Sequence, residues 1–171
     1  ASTLAGEEEA RTLDLLLAQP VSRWAAYLQK AAALHPGYEA PVHAWKRQDE
    51  MIVGEIAGTA ELVDRVRDAG VALYLLTNMP VDVFADRLAR FPVLGRFDGA
   101  VVSGAEGVLK PSAEIFALPR DRYQLDPAAT LFVDDLDVNV RGARTVGFLG
   151  HRFVDARVLR QALEALGLLP S

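Results

Sequence analysis

The spacing of apolar residues changes near residue 55 of the 171-residue chain. Before that point they recur at the three- and four-residue intervals of amphipathic helices, as at Val21, Trp24 and Leu28. The segment "EEEARTLDLLLAQ" also begins with acids, which favour the positive end of a helix dipole. We therefore predict a small helical lobe over residues 1–54.

After residue 55, short apolar runs alternate with helical patterns. The runs "VALYLLTN", "DGAVVSG", "TLFVD" and "FLGHRF" are typical of strands, and the most continuous of them indicate strands covered on both faces. Pro119 should kink or end the helix that contains it. Repeated strand–helix units with short connections predict an α/β fold over residues 55–171, a doubly wound parallel sheet with helices on both faces.

Composition and charge narrow the classes of function. Hydrophobic residues make up 51% of the chain and charged residues 24%, which is ordinary for a globular protein. The net charge of −5 offers no basic surface for nucleic acid. The absence of cysteine excludes thiol nucleophiles, disulfides and thiolate metal sites. Without a bilayer-length apolar run or a visible signal peptide, we expect a cytoplasmic protein with no membrane partner.

Polar residues follow the predicted strands at their carboxyl ends, where parallel sheets bind ligands. Thr77 and Asn78 close one strand, Lys110 follows the next, and Asp134 and Asp135 close a third. Adjacent carboxylates resist joint ionisation unless a cation or hydrogen bonds offset their repulsion. A hydroxyl, an amide, an amine and two carboxylates on one rim suit a phosphoryl group with Mg²⁺.

Each of these residues also fits a purely structural role. The Thr–Asn pair is a common start for a following helix, and a lysine before proline is usually solvated. The acid pair also fits an exposed turn, where water screens the repulsion. Asp137 is more consistent with a helix cap than with a ligand. The three histidines, which have no metal-ligand spacing and receive no role, are His35, His43 and His151.

Taken in chain order, three motifs resemble those of a known family. "LLTN", "KPSAEIF" and "FVDDLDVNV" resemble the second, third and fourth motifs of the haloacid dehalogenase-like (HAD) hydrolases. The helical lobe resembles the cap that this superfamily inserts after its first strand. The resemblance implies that Thr77 and Asn78 bind the phosphoryl group. It also implies that Lys110 steadies the nucleophile and phosphate, while Asp134 and Asp135 ligate Mg²⁺.

The first motif of that family, a strand ending in Asp-x-Asp, is not recognisable. Its first aspartate would be the nucleophile that forms an aspartyl-phosphate, and its second the general acid/base. Asp14 and Asp82 lie in helical patterns without a preceding apolar strand. We therefore expect the first core strand to be missing. The favoured explanation is a longer protein, ahead of a strand supplied by a partner or a rearranged sheet.

The leading hypothesis is a Mg²⁺-dependent HAD phosphatase that acts on a small phosphorylated metabolite, with its nucleophile outside this sequence. The chain alone should then be inactive by the aspartyl-phosphate route. The first alternative is a catalytically inactive relative that serves as a binding module, and a lesser one is a 2-haloacid dehalogenase, which needs no metal. A receiver domain fits poorly, because its acids come first. A missing central strand would make a homo-oligomer by strand exchange worth testing.

Overall fold

The computed structural model describes residues 14–17 as backbone and residues 55–170 with their side chains. Five parallel strands form one sheet in the order β3-β2-β1-β4-β5. This arrangement confirms the predicted doubly wound α/β fold. The strands are β1 (Asp14–Leu17), β2 (Leu73–Thr77), β3 (Gly99–Val102), β4 (Thr130–Asp134) and β5 (Leu149–Arg152).

Helices connect the strands from β2 onward, and one precedes β2. A 3₁₀ turn precedes β3 and another precedes β4. Among the described residues, no helix is long and apolar enough to cross a membrane. The α-helices are α1 (Thr59–Asp68), α2 (Val81–Arg90), α3 (Ser103–Glu106), α4 (Ala113–Tyr123), α5 (Asp137–Thr145) and α6 (Ala156–Ala165).

Helices cover both faces of the sheet. Successive side chains of β4 point to opposite faces, and each set packs against different helices. Leu131 and Val133 pack in one apolar cluster with buried residues of α1 and α6. Phe132 packs in a second cluster with residues of α4 and α5, where it meets Phe116 edge-to-face at 5.1 Å between ring centroids. β4 is therefore buried along its whole length. Its last residue lies at the carboxyl edge of the sheet and is buried as well.

The centre of the sheet is filled, in contrast to the expected missing strand. Leu16 of β1 is paired with Tyr74 of β2 on one side and with Phe132 of β4 on the other. The helix predicted over this part of the chain is therefore wrong for Asp14–Leu17, because pairing with two neighbouring strands outweighs a local helical pattern. The rest of the helical lobe and its boundary at residue 54 lie outside the described residues and stay predictions.

Asp14 does not supply the missing motif. It is paired with Thr130, at the amino end of β4, four residues before Asp134. At the rise of a strand this separates the two positions by ~13 Å along the sheet. The last residue of β1, at the rim, is Leu17. The absence of an Asp-x-Asp strand thus stays a prediction.

Pro119 does not end its helix, although we expected that it would kink or end it. α4 continues through this residue to Tyr123. Pro119 is buried within the helix. The helix therefore tolerates the loss of the backbone hydrogen bond that a proline cannot donate.

Candidate active site

The predicted polar residues lie at the carboxyl edge of the sheet, and most of them are buried. Thr77 is the last residue of β2 and Asp134 the last of β4. The exposed fractions are 1% for Thr77 and Asp134 and 5% for Asn78 and Lys110. Polar groups at such depth require partners. The hydrogen bonds of these groups therefore determine which chemistry the site can support.

Lys110 is a buried cation held between two oxygen acceptors. Its Nζ donates to Oδ2 of Asp134 at 3.0 Å and to the carbonyl oxygen of Leu76 at 2.9 Å. Burial lowers the pKa of the Lys110 ammonium group, while the charge and hydrogen bond of Asp134 act in the opposite direction. Lys110 is therefore not a solvated loop lysine, and its positive charge lies at the ends of β2 and β4.

Asn78 fixes the backbone of Lys110. Its side-chain Nδ2 donates to the carbonyl oxygen of Lys110 at 3.1 Å, and its Oδ1 accepts the Lys110 backbone N–H at 2.9 Å. This two-point contact joins the end of β2 to the loop before α4, across 32 positions of sequence. The Asn78 side chain is thus engaged in positioning Lys110, and its phosphate-binding role stays a prediction.

Asp134 uses both carboxylate oxygens within the protein. Its Oδ2 accepts from Lys110 and, at 2.9 Å, from Nδ2 of Asn139, while Oδ1 accepts the backbone N–H of Leu136 at 2.8 Å. Asn139 has no role that its sequence context predicts. Its only signal is a position five residues after Asp134, which the first turn of α5 brings back to the carboxylate.

Asp135 differs from its neighbour because it is only half-buried. Burial, the negative charge of Asp134 and a hydrogen bond with it raise the pKa of the Asp135 carboxyl group, and Lys110 offsets only part of this. A carboxylate under such repulsion gains most from an additional cation. Of the pair, Asp135 is the better placed to offer oxygen to a metal ion.

The donor set fits Mg²⁺ bound together with water and a phosphate. Mg²⁺ is commonly held by one or two carboxylates, several waters and substrate oxygens. In the described part of the chain, no group of three or more acidic or histidine side chains could hold a metal by itself. The Thr77 hydroxyl is buried and has no hydrogen-bond partner there. A phosphate oxygen would satisfy it.

Two other residues from the sequence analysis lie apart from these contacts. Asp137 is the first residue of α5 and pairs with Arg141, whereas Leu136 occupies the cap position, so the predicted cap is wrong by one residue. His151 lies on β5 opposite Val133, and burial lowers the pKa of its imidazole. His35 and His43 lie outside the described residues.

Sequence comparison identifies related proteins. The chain matches the haloacid dehalogenase-like hydrolase family over residues 8–147. It is 31% identical to the sesquiterpene phosphatase astK of Aspergillus oryzae over 131 residues, which is 77% of this chain and 66% of that protein. It is 30% identical to the glyceraldehyde 3-phosphate phosphatase of Pyrococcus abyssi over 95 residues, which is 54% of this chain and 40% of that protein.

The acyl-CoA dehydrogenase family member 10 of Mus musculus is 30% identical over 119 residues, which is 68% of this chain and 11% of that protein. The chain therefore spans less than two thirds of the length of each of these three relatives. Their names describe proteins longer than the matched region.

Solved structures share the fold. A hydrolase from Streptococcus pneumoniae superimposes with a TM-score of 0.66 at 16% identity, covering 90% of this chain and 99% of that one. The HAD-hydrolase YfnB of Bacillus subtilis, bound to magnesium, also gives a TM-score of 0.66 at 16% identity, covering 91% of this chain and 99% of that one. At this identity the likeness establishes the fold alone.

Proposed function

Because the chain belongs to the haloacid dehalogenase-like hydrolases, we propose that it is the core of a Mg²⁺-dependent phosphatase for a small phosphorylated metabolite. The observation that carries the proposal is the buried Lys110–Asp134 pair beside the unpartnered Thr77 hydroxyl. The names of two relatives, both phosphatases, support it. The net charge of −5 supports a small-molecule substrate over nucleic acid.

Each residue has a defined role in this proposal. The Thr77 hydroxyl donates to a phosphate oxygen, and the Lys110 ammonium group neutralises charge on the phosphate as it is transferred. Asp134 keeps Lys110 in place, and its charge opposes the lowering of the Lys110 pKa by burial. Asp135 offers carboxylate oxygen to Mg²⁺, which would neutralise further phosphate charge when bound. Because the Lys110 ammonium group and the Thr77 hydroxyl are buried, neighbouring residues must move aside for a phosphate to reach them.

The nucleophile is the part of the proposal that the described residues do not contain. An aspartyl-phosphate route requires a carboxylate beside Thr77 and Lys110, at the carboxyl end of the sheet. The rim end of β1 is Leu17, and Asp14 lies at the opposite end of that strand. We therefore propose that the nucleophile is not in this chain, and that the chain alone binds phosphate without turnover.

The first test uses the chain as it is. We expect inorganic phosphate to bind more tightly with Mg²⁺ than with EDTA, as measured by calorimetry. Lys110→Met removes the buried cation and should weaken that binding about tenfold or more, since hydrogen bonds to charged groups are the strong ones. Arg120→Gln on α4, whose partner is the neighbouring Asp121, is the control and should leave it unchanged. Mg²⁺-independent binding would contradict the metal role.

The second test adds an N-terminal strand that ends in Asp-x-Asp and measures phosphate release from p-nitrophenyl phosphate. The added strand must replace β1 between β2 and β4 to bring its aspartates to the rim. Turnover that requires both Mg²⁺ and the first of the two added aspartates would support the phosphatase. A folded, phosphate-binding protein without turnover would instead support an inactive binding module. Metal-independent halide release from 2-chloropropionate would support the dehalogenase. A homo-oligomer stays a prediction, although the strand in the centre of the sheet removes its original reason.

A further inference from the structure

A second candidate site lies on the flank of the protein where α1 and α6 pack side by side. The two helices share an apolar cluster through residues such as Leu62 and Leu159. Their first turns nearly touch, since a Cβ atom placed on Gly58 would lie 3.4 Å from that of Ala156. Residues of both helices line a cavity of about 240 Å³ that is partly open to solvent. We call it the arginine cavity.

The arginine cavity is lined by three cationic side chains. Arg65 comes from α1, and Arg157 and Arg160 come from α6. Arg160 is partly neutralised by Glu164 at 3.4 Å. Within the described part of the chain, neither Arg65 nor Arg157 makes an ion pair. The one acid that lines the cavity is Glu61.

This concentration of positive charge stands out in a chain whose net charge is −5. Three guanidinium groups around one small volume repel each other, and the carboxylates of Glu61 and Glu164 offset only part of that repulsion. A bound anion would offset the rest. Guanidinium groups present paired N–H donors that match the oxygens of phosphate or carboxylate. The charge and geometry of the cavity therefore favour an anion over a cation or a neutral ligand.

The other residues that line the cavity indicate which kind of anion would fit it. Leu62, which is buried, and Ala156 provide apolar surface between the arginines. Water occupies about 30 Å³ per molecule in the liquid, so 240 Å³ holds more than a bare phosphate. We propose that the arginine cavity binds a phosphate-bearing small molecule with a short apolar body. None of its lining residues belongs to the candidate active site.

The test is an NMR titration of the full chain, which follows backbone amides with two probes, inorganic phosphate and butylphosphonate. We expect saturable shifts at Gly58, Glu61 and Arg157, with a lower Kd for butylphosphonate because its chain contacts the apolar surface. The double variant R65Q/R157Q should raise that Kd about tenfold or more. The control Arg120→Gln removes an arginine of a different helix and should leave it unchanged.

Any of three results would overturn the proposal. These are the absence of saturable shifts at Gly58, an equal Kd in the parent and R65Q/R157Q, or the same rise in Kd in Arg120→Gln as in the double variant. A Kd for inorganic phosphate as low as that for butylphosphonate would remove the apolar part of the assignment and leave an adventitious ion only. Shifts at Thr77 and Lys110 report the active-site proposal separately, so either site can fail without the other.

Discussion

At Lys110, one ammonium group joins the carboxyl ends of two strands, β2 and β4, through short contacts. It reaches the last residue of β4 and a carbonyl oxygen of β2, while its own backbone is held by Asn78. Such a buried charge costs free energy unless every partner is present. The position of Lys110 is therefore fixed by neutral hydrogen bonds on one side and by Asp134 on the other.

The two hydrogen bonds between the Asn78 side chain and the Lys110 backbone can be tested separately by substitution. Asn78→Ala should increase the rate of hydrogen exchange at the Lys110 amide about tenfold, because a buried N–H loses its acceptor. Asn78→Asp keeps the Oδ1 acceptor and should leave that amide protected. NMR exchange rates measure both variants, with amides of β4 as internal reference. Equal exchange in the alanine variant and the parent would show that Asn78 does not hold Lys110.

Asp135 gives a pH-dependent prediction. Burial and Asp134 raise its pKa in the folded protein above the ordinary value of 3.8. Between those two values the folded state binds more protons than the unfolded state, so this residue lowers stability as the pH rises. Asp135→Asn removes both the charge and its titration. We therefore expect the variant to be more stable than the parent at neutral pH.

The difference between Asp135→Asn and the parent should shrink as the pH falls from the raised pKa of the folded state toward 3.8. Below 3.8 it should no longer change, because Asp135 is protonated in both states. Urea unfolding at a series of pH values, without divalent cations, measures it. A constant difference across that series would mean that the effect comes from packing and not from ionisation.

At the scale of elements, the sequence pattern predicted β2, β3, β4 and β5 and the helices between them. It succeeded because each strand is an apolar run bounded by turn residues. It failed for β1, since a run of four residues, "DLLL", inside a helical pattern cannot be distinguished from a helix by periodicity. The partners of β1 lie more than fifty residues away in the chain, beyond the reach of any local signal.

The residues of the candidate site also divide into those that the sequence could predict and those that it could not. Thr77 and Asp134 could be predicted because each ends a strand, and Lys110 because it lies in the connection after β3. The carboxyl ends of parallel strands share one edge. The role of Asn139 could not, because it depends on how α5 turns back toward the carboxylate of Asp134. The side-chain contact from Asn78 to Lys110 was likewise invisible, since it spans two separate strand–helix units.

Gly142 provides a prediction about how α5 packs near the site. A Cβ atom there would lie 2.6 Å from the carbonyl oxygen of Pro111, the residue after Lys110, and 2.8 Å from the ring of Phe116. Gly142→Ala should therefore separate α5 from α4 and lower the free energy of unfolding by about 1–3 kcal/mol. Denaturant unfolding measures the change.

Gly95→Ala is the matched control, because a Cβ atom at Gly95 would meet nothing within 4 Å. We expect little or no loss of stability there. Gly142→Ala should also shift the amide resonance of Lys110, since the crowded carbonyl belongs to the next residue. Similar stability in the two variants would show that the space between α4 and α5 is not filled as described.

At the scale of the whole molecule, β1 joins two halves of the sheet. β2 and β3 lie on one side of it, and β4 and β5 on the other. Thr77 ends β2 and Lys110 follows β3, so both belong to the half of the sheet that contains β2 and β3. Asp134 ends β4 and belongs to the other half. The Lys110–Asp134 contact therefore crosses the centre of the sheet, and its geometry depends on what occupies that centre.

Leu16→Pro tests this dependence. Leu16 is paired on both sides, so a proline there removes a backbone donor from the centre of the sheet and should destabilise both halves. Leu149→Pro is the control, because β5 is an edge strand with one neighbour, and the loss should be smaller. In the parent, amides of β1 should resist hydrogen exchange as strongly as those of β4. Rapid exchange in β1, with protection retained in β2 and β4, would mean that another segment or another molecule fills the centre.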